Sequence, residues 1–470
     1  MRERISLDNA KKIHFIGIGG ISMSGLAEIL QRDGYEVSGS DDVLTEITER
    51  LDRLGIKIFH PNAAENISRG IDLVVYTAAV KADNPEFRAA LEMGIELIER
   101  APFIGKILHG YEPICIAGSH GKTTTTSMVA EVLLAARHDP TISIGGHMNR
   151  GGLNYRIGGS KYFVLESCEF SNSFHHWHPH IGIILNIDAD HLDFFGNMKN
   201  LIEAFGKFAG NIRPEGALVI QAGVQGIDEI TKKLKCDIIT FGLKNNSKIY
   251  ADKIKYENGN PSFDVMDGEK FLAHVSLPLP GEYNMLNALA AFAAALLLGI
   301  PPNEIADALC NIKGTKRRFE HKGMYNGIEI IDDYAHHPTE IISCLAAARQ
   351  KMDSGRIVCL FQPHTYTRTR NLFDETVKSF SDADKIVLLP IYAAREPYDP
   401  TVSSEMLAEE IIKIGGDAIF IKNFDEAECY LKKILCSGDL LITMGAGDVF
   451  RVGDKMLGSD LSTLSTGCEH

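Results

Sequence analysis

No two cysteines in this 470-residue chain stand as C-x-x-C, and none of the nine has a neighbour at a metal-binding or disulfide-framework spacing. This odd, dispersed set (Cys115, Cys168, Cys236, Cys310, Cys344, Cys359, Cys429, Cys436, Cys468) argues against a zinc module or a disulfide scaffold and predicts reduced thiols in the cytoplasm. Net positive charge is lacking too. The formal balance of −14 argues against broad nucleic-acid binding, while a local basic pocket for an anionic substrate stays open. No apolar run is long enough to span a bilayer, and the longest, Ala288 to Leu298, reads as a buried helix. Glycines break the first apolar run within a few residues, so neither a secretory leader nor stable membrane association is expected. The sequence holds no internal repeats, low-complexity tracts or long linkers.

What is there alternates. Apolar residues make up 45% of the chain and the mean hydropathy is −0.04, a globular composition. The length exceeds one ordinary core and predicts about three domains. KKIHFIGIGGISMSGLAEIL reads as a short strand, a glycine turn and an amphipathic helix, with EVSGSD and DLVVYTAAV as buried parallel strands after it. A second unit opens with PICIAG, a glycine loop and a helix from Thr123 to Ala136, then continues through KYFVLES and IGIILNI. Near Gly314 the chain starts again, with IEIIDDYAHHP, IVCLFQPH, KIVLLPI, AIFI and DLLITMGAGD as strand-like runs between helical stretches. The pattern predicts an α/β protein of three domains. Residues 1–106 and 314–470 would be Rossmann-like, and 107–313 a central, mostly parallel sheet of the P-loop ATPase kind.

Two glycine turns stand where a strand passes into a helix. In the first, Gly17-x-Gly19 is followed by Asp41 at the end of the next strand, but the third glycine of a dinucleotide fingerprint falls on Ser22. Amides at such a helix start bind any diphosphate, including that of a nucleotide sugar; a plain tight turn is the bland alternative. The second turn, CIAGSHGKTTTTSMVA, is shorter than the usual Walker pattern, which wants glycine at Ile116. Gly118 and Gly121 nonetheless let the backbone approach phosphate oxygens, Lys122 can neutralise β and γ charges, and the Thr123 hydroxyl is placed for Mg²⁺. Four threonines then open the helix, which is poor helix chemistry unless hydroxyls are wanted there. We read this loop as a nucleoside triphosphate site.

Such a site needs oxygen ligands for a metal. ESCEFSNSF offers Glu166 and Glu169, and NIDADHLDFFG offers Asp188, Asp190, His191 and Asp193; for any one acid alone, a cap or a solvated loop is the ordinary role. Magnesium keeps several waters, so one carboxylate per ion is enough. HHWHPH (His175, His176, His178, His180) reads as a loop, because Pro179 breaks it and its spacing fits no transition-metal site.

Along nearly the whole chain, and in order, GSHGKTTTT, NIDADHLD, LPGEYNMLNALAA, KRRFE, DDYAHHPTE and FQPHTYTRTR resemble the motifs of the Mur ligases. Those are ATP-dependent amide-forming enzymes of peptidoglycan precursor synthesis. IHFIGIGGISMSGLA and TAAVKADNPE are most similar to members that act on UDP-N-acetylmuramate and L-alanine. The resemblance implies that ATP phosphorylates the lactyl carboxylate of the nucleotide sugar and that the amine of L-alanine attacks the acyl phosphate. Charge develops at each step, so catalysis would be chiefly electrostatic and positional.

The resemblance also implies roles. Gly118, Ser119, His120, Gly121, Lys122, Thr123 and Thr124 would bind ATP, with Lys122 on the transferred phosphoryl group. Thr123 and Glu169 would hold one Mg²⁺ and His191 a second. Arg318 would reach the γ-phosphate, an interdomain salt bridge being its plainer alternative; Asn284 and Asn287 match positions near the adenine, and Asp333 the ribose contact. His336, His364, Tyr366 and Arg368 fall where the family handles the amino acid and the acyl phosphate, with His336 and His337 as candidate bases. Gly19, Gly20 and Asp41 would hold the uridine diphosphate portion, and GGHMNRGGLN, with Asn154, would approach the sugar. The three domains would then serve UDP-sugar, ATP with Mg²⁺, and amino acid in turn, in a monomer or weak homodimer.

There are departures. Cys168-Glu169-Phe170 stands where the family commonly has D-E-S, Tyr283 where it often has histidine, and Thr365 where some relatives have arginine, which leaves the alanine carboxylate to Arg368 or Arg370. Three other readings stay open: a recycling ligase joining the same nucleotide sugar to a tripeptide, an NAD(P)-dependent oxidoreductase built on the first domain, and a catalytically silent regulator. The first needs a roomier third-domain pocket. The missing third glycine counts against the second, and the presence of Lys122, Glu169 and His191 against the third.

Overall fold

The structure, a computed structural model, describes residues 5–7, 10–146, 148, 154–352 and 354–458. Its contacts divide the chain into two units, one of Met1–Ala251, Val265–Ala273 and Asn287–Leu309, the other of Asp252–Asp264, His274–Leu286 and Cys310–His470.

The first unit opens with a parallel sheet of β1 (Lys12–Ile16), β2 (Glu36–Ser40), β3 (Lys57–Phe59), β4 (Leu73–Tyr76) and β5 (Glu96–Glu99), ordered β3-β2-β1-β4-β5. The order reverses beside β1, and the crevice at its carboxyl end is where open α/β sheets bind ligands. The glycine turn of Gly17–Gly20 lies there. The sequence reading finds three of these five strands. β3 and β5 escape it because they are short, half-exposed edges without an apolar run.

A second sheet follows, built from β6 (Glu112–Ala117), β7 (Thr141–Ser143), β8 (Tyr155–Arg156), β9 (Tyr162–Glu166), β10 (Ile181–Ile184), β11 (Ala217–Gln221) and β12 (Asp237–Gly242). Their order is β12-β11-β10-β6-β9-β7-β8, and β13 (Ile249–Glu257), β14 (Asn260–Asp267) and β15 (Lys270–Ser276) extend it to ten strands. Pairing from β12 to β7 is parallel, and β7–β8 is antiparallel. The buried run of β10 and the five buried residues closing β6 show a sheet covered on both faces, which is why these strands read as unbroken apolar stretches. Phe15 and Phe103 join Tyr111, Phe163, Phe174, Phe205 and Phe208 in one core shared by the first two sheets. The helix Glu282–Leu297 carries the expected buried stretch, Ala288–Ala295. Among the described residues no helix is long and apolar enough to cross a membrane.

The second unit holds a six-stranded sheet of β16 (Glu320–Tyr325), β17 (Ile328–Asp333), β18 (Ile357–Phe361), β19 (Lys385–Leu388), β20 (Ala418–Phe420) and β21 (Leu440–Met444). The order is β16-β17-β21-β18-β19-β20, parallel except for β16 against β17. The five strand-like runs of the sequence are all present. β16 is the addition: EHKGMY has no apolar run because this antiparallel edge strand is not buried on either face.

Candidate functional site

The phosphate loop grows out of β6. Gly118 (φ +145°) and Gly121 (φ +81°) turn the chain into the helix Lys122–Ala135. Gly121 is the N-cap; a Cβ there would lie 2.6 Å from Asn287 Oδ1, so both the left-handed backbone and the space call for glycine. Asn287, which the resemblance sets near an adenine, thus stands against the loop itself. Asn186, just past β10, pins the loop from below. Its Oδ1 accepts the His120 N–H (2.8 Å), its Nδ2 donates to His120 O (3.1 Å) and its carbonyl accepts the Ser119 N–H (3.1 Å). Asp188 adds a carboxylate 3.1 Å from His120 Nε2, and its N–H donates to Ser119 Oγ at 2.9 Å. The positive dipole end of this helix favours an anion here. Sequence reasoning missed Asn186; its signal is a polar side chain directly after the apolar run IGIIL.

Lys122 is fully engaged. Its Nζ donates to Gly118 O (2.5 Å), to Ser119 O (3.1 Å) and to both oxygens of the buried Glu169 (3.0 and 3.2 Å). Burial presses its pKa down, but Glu169 first, with Glu166, more than offsets this and holds it above the usual lysine value. Thr123 Oγ1 donates to Glu166 (3.0 and 3.2 Å), whose Oε2 also accepts the Gly145 N–H at 2.8 Å. His191 Nε2 lies 3.9 Å from Glu169 and 3.8 Å from Asp190. The expected metal pair of Thr123 and Glu169 is therefore split: the threonine faces Glu166, and the lysine holds Glu169. A hydroxyl and two carboxylates in one cluster are hard oxygen donors, which fits Mg²⁺. Of the remaining threonines, Thr125 and Thr126 are fully buried, and the Thr126 hydroxyl turns back to Lys122 O at 2.7 Å. Their side chains are enclosed by the packed helix, whereas the Thr123 hydroxyl meets an acid.

At the end of β1, Ser40 O accepts the N–H groups of Gly17 and Ile18, both at 2.9 Å, and Asp41 Oδ2 accepts the Gly19 N–H at 2.8 Å. The Gly20 N–H turns to Gly17 O at 3.2 Å. The structure thus brings Gly19, Gly20 and Asp41 together but spends both glycine amides internally. Behind the turn lies a polar cluster that sequence reasoning missed. Glu86, wholly buried, accepts from Ser40 Oγ, from Asn66 Nδ2 (2.6 Å) and from the Ala63 N–H (3.3 Å), with His14 Nε2 at 3.4 Å. Asn154 is described, and its carbonyl accepts the Ile144 N–H at 3.0 Å. Residues 147 and 149–153 of GGHMNRGGLN, and the side chain of Asp193, lie outside the described residues.

In the second unit Asp333 clamps two segments. Its Oδ2 accepts the Phe319 N–H (2.7 Å) and its Oδ1 the Ala335 N–H (2.8 Å). The clamped turn is strained, with Arg317 at φ +60° and Phe319 at φ +49°. It sets the Arg318 guanidinium 4.9 Å over the Tyr334 ring, while Arg317 pairs with buried Asp332 (3.0 Å) and Gly445 O (2.6 Å). His336, His364 and Arg368 come together: the two imidazoles lie 5.5 Å apart and Arg368 meets His364 Nδ1 at 3.1 Å. Tyr392, which the sequence did not single out, stacks on His364 at 5.8 Å. Tyr366 instead meets Tyr398 edge-on at 5.8 Å. Asn284 is buried, its Nδ2 donating to Pro280 O at 2.8 Å, and His337 spends Nδ1 as a helix cap, accepting the Thr339 N–H at 3.3 Å.

Burial pushes the Asp333 carboxyl up from 3.8 to about 6, partly offset by Arg318 and the two backbone donors. The raised value means the folded state holds this proton more tightly. The stability it contributes is full below pH 3.8 and lost as pH rises through about 6. Its clamp needs the carboxylate, so activity moves the other way. We expect turnover to fall as pH drops through about 6, and Asp333→Asn to remove that limb of the pH–rate profile. An unchanged acid limb in the variant would assign the titration elsewhere.

Three family descriptions match in succession: "Mur ligase family, catalytic domain" over residues 12–112, "Mur ligase middle domain" over 116–295 and "Mur ligase, glutamate ligase domain" over 317–447. The UDP-N-acetylmuramate–L-alanine ligase of Clostridium novyi is 47% identical over 451 residues, 96% of this chain and 98% of its own. The enzyme of the same name from Acetivibrio thermocellus is 47% identical over 450 residues, covering 95% and 96%. The crystal structure of the Thermotoga maritima UDP-N-acetylmuramate–alanine ligase superposes with a TM-score of 0.76 at 32% identity, over 95% of this chain and 98% of that one. A murein peptide ligase from Psychrobacter arcticus shares the fold, with a TM-score of 0.66 at 24% identity over 97% and 100%. With its three mostly parallel α/β domains in the family's order, and a lysine-bearing phosphate loop between two acids, the chain belongs to the Mur ligase family.

Proposed function

We propose that the protein joins L-alanine to the lactyl carboxylate of UDP-N-acetylmuramate at the expense of ATP, giving UDP-N-acetylmuramoyl-L-alanine, ADP and phosphate for peptidoglycan precursor synthesis. The observation that carries this reading is the Lys122 ammonium, held among Gly118 O, Ser119 O and Glu169 at the mouth of the phosphate loop. A cation at that point, beside helix amides, stabilises the negative charge of a γ-phosphoryl group passing from ATP to a carboxylate oxygen with ADP leaving, and the amine can attack the resulting acyl phosphate and expel phosphate. The full length of the similarity to alanine-adding relatives supports the substrate pair.

We assign the residue roles as follows. Gly118 to Thr124 would cradle the triphosphate, with Asn287 shaping the loop; Arg318, Asn284 and Asp333 would serve ATP from their own unit. Thr123, Glu166 and Glu169 would hold Mg²⁺, with His191 for a second ion; bound there, the metal neutralises phosphate charge. Lys122 must leave Glu169 for the phosphate as that happens. Gly19, Gly20, Asp41 and Asn154 would take the nucleotide sugar; His336, His364, Tyr366 and Arg368 would take L-alanine. We assign residues 1–106, 107–313 and 314–470 to these three tasks, in a cytoplasmic enzyme that is a monomer or weak homodimer.

Phosphate release with ATP, Mg²⁺ and UDP-N-acetylmuramate tests the reading, with L-alanine in one reaction and the tripeptide in another. We expect release with L-alanine that depends on both the metal and the nucleotide sugar. Release with the tripeptide alone would move the protein to peptide recycling.

A further inference from the structure

Phe170 and Phe194 leave 43% and 44% of their surface exposed. Their rings lie 5.6 Å apart, and that of Phe170 is 5.1 Å from the imidazole of His191. Phe194 rests edge-on against the buried Phe195 at 4.9 Å. Phe170 directly follows Glu169 in the chain, so this shelf borders the Lys122–Glu169 pair. The backbone beneath it is strained. Ser171 and Asn172 both have φ +55° and His191 has φ +56°, left-handed conformations that non-glycine residues adopt at a cost. Local hydrogen bonds hold them there: the Asn172 N–H to Glu169 O at 2.9 Å, and the His191 N–H to Asp190 Oδ1 at 2.8 Å. Two phenyl rings are thus kept at the surface, on strained segments, beside the reacting groups. The pair offers a flat apolar surface directly beside the Lys122–Glu169 pair.

We propose that Phe170 and Phe194 form the platform for the pyranose ring and N-acetyl methyl of the nucleotide sugar, and so determine affinity for its sugar portion. This rests on the function proposed above. The carboxylate to be phosphorylated hangs from the sugar ring by a short lactyl arm, so the ring must come to rest beside the phosphate loop. A pyranose has an apolar C–H face and a polar rim, and an aromatic face is the surface that takes the former. The triphosphate needs amides and Lys122, and has no use for an exposed phenyl there.

The test measures binding of UDP-N-acetylmuramate and of UDP by calorimetry, alongside phosphate release, in wild type, Phe170→Ala, Phe194→Ala and Phe170→Tyr. We expect each alanine variant to bind UDP-N-acetylmuramate roughly tenfold more weakly. UDP affinity and the KM for ATP should stay at wild-type values, and the tyrosine variant should bind the nucleotide sugar as wild type does. Unchanged nucleotide-sugar affinity in both alanine variants overturns the inference while alanine-dependent turnover by wild type keeps the function. A rise in the KM for ATP equal to the loss of sugar affinity also overturns it, since the rings would then be supporting Glu169. Weaker sugar binding in the variants, with no alanine-dependent turnover by wild type, keeps the platform and sinks the function. Wild type that neither binds nor turns over the nucleotide sugar overturns both.

Discussion

Lys122→Ala should lower phosphate release by on the order of 10³-fold or more, the scale on which a phosphoryl-transfer cation acts. The same change should leave UDP-N-acetylmuramate binding intact, because the turn that would hold the uridine diphosphate sits on a different sheet, at the carboxyl end of β1. A second consequence follows from burial. Glu169 has 1% of its side chain exposed and loses its cation in this variant. An unpaired buried carboxylate costs about 3–5 kcal/mol, so Lys122→Ala should also melt early. Lys122→Ala with Glu169→Gln should recover most of that stability and none of the activity. Thermal melting and phosphate release on both variants separate the two effects. If the single variant lost nucleotide-sugar binding, the division of tasks between the first two sheets would be wrong.

A comparable loss of stability, from the first sheet, is expected from Glu86→Ala. Glu86 is wholly buried, and its two oxygens meet Ser40, Asn66, the Ala63 amide and His14. Alanine leaves the buried Ser40 and His14 without this acceptor and the half-buried Asn66 and Ala63 amides without their carboxylate, a cost of about 3–5 kcal/mol. Glu86→Gln, which keeps one carbonyl oxygen, should lose less. Desolvation by burial works to raise the Glu86 pKa, but His14, Ser40 and Asn66 outweigh it, so it lies below 4.5. The sign follows: an acid depressed in the folded state contributes stability that is present above pH 4.5 and lost as pH falls through the folded value. Denaturant midpoints at pH 7 and in acid check both points, since the gap between wild type and Glu86→Gln should close in acid. Ser40, held by Glu86, in turn holds the Gly17 and Ile18 amides, so UDP affinity should weaken in Glu86→Ala. A variant within about 1 kcal/mol of wild type would mean the cluster is wet and its groups are satisfied by water.

Much of this was legible in the chain itself. Parallel strands buried on both faces print as unbroken apolar runs, so PICIA, IGII, IVCLF and LLITM could be found and placed between helices. The phosphate loop was equally plain, because its glycines, lysine and threonine lie within six residues of one another. Edge strands such as Glu96–Glu99 and Glu320–Tyr325 were not, since half-exposed residues carry no such run. Which of the four threonines turns its hydroxyl to an acid was not legible, for a physical reason: a buried helix face can use a β-branched methyl as core, and a sequence cannot say which side of the hydroxyl faces the interior.

The order of the sheets, the nucleotide loop and the family were thus determined by the sequence, because each is written in neighbouring residues. The pairings within the site were decided by the tertiary structure. Lys122 meets Glu169 across 47 residues, His120 meets Asn186 across 66, and Gly19 gives its amide to Asp41 across 22. Asp333 and Glu86 likewise bind partners brought from other elements. An acid's role depends on which donor lies within about 3 Å of it, and only the packing of one element on another sets that distance.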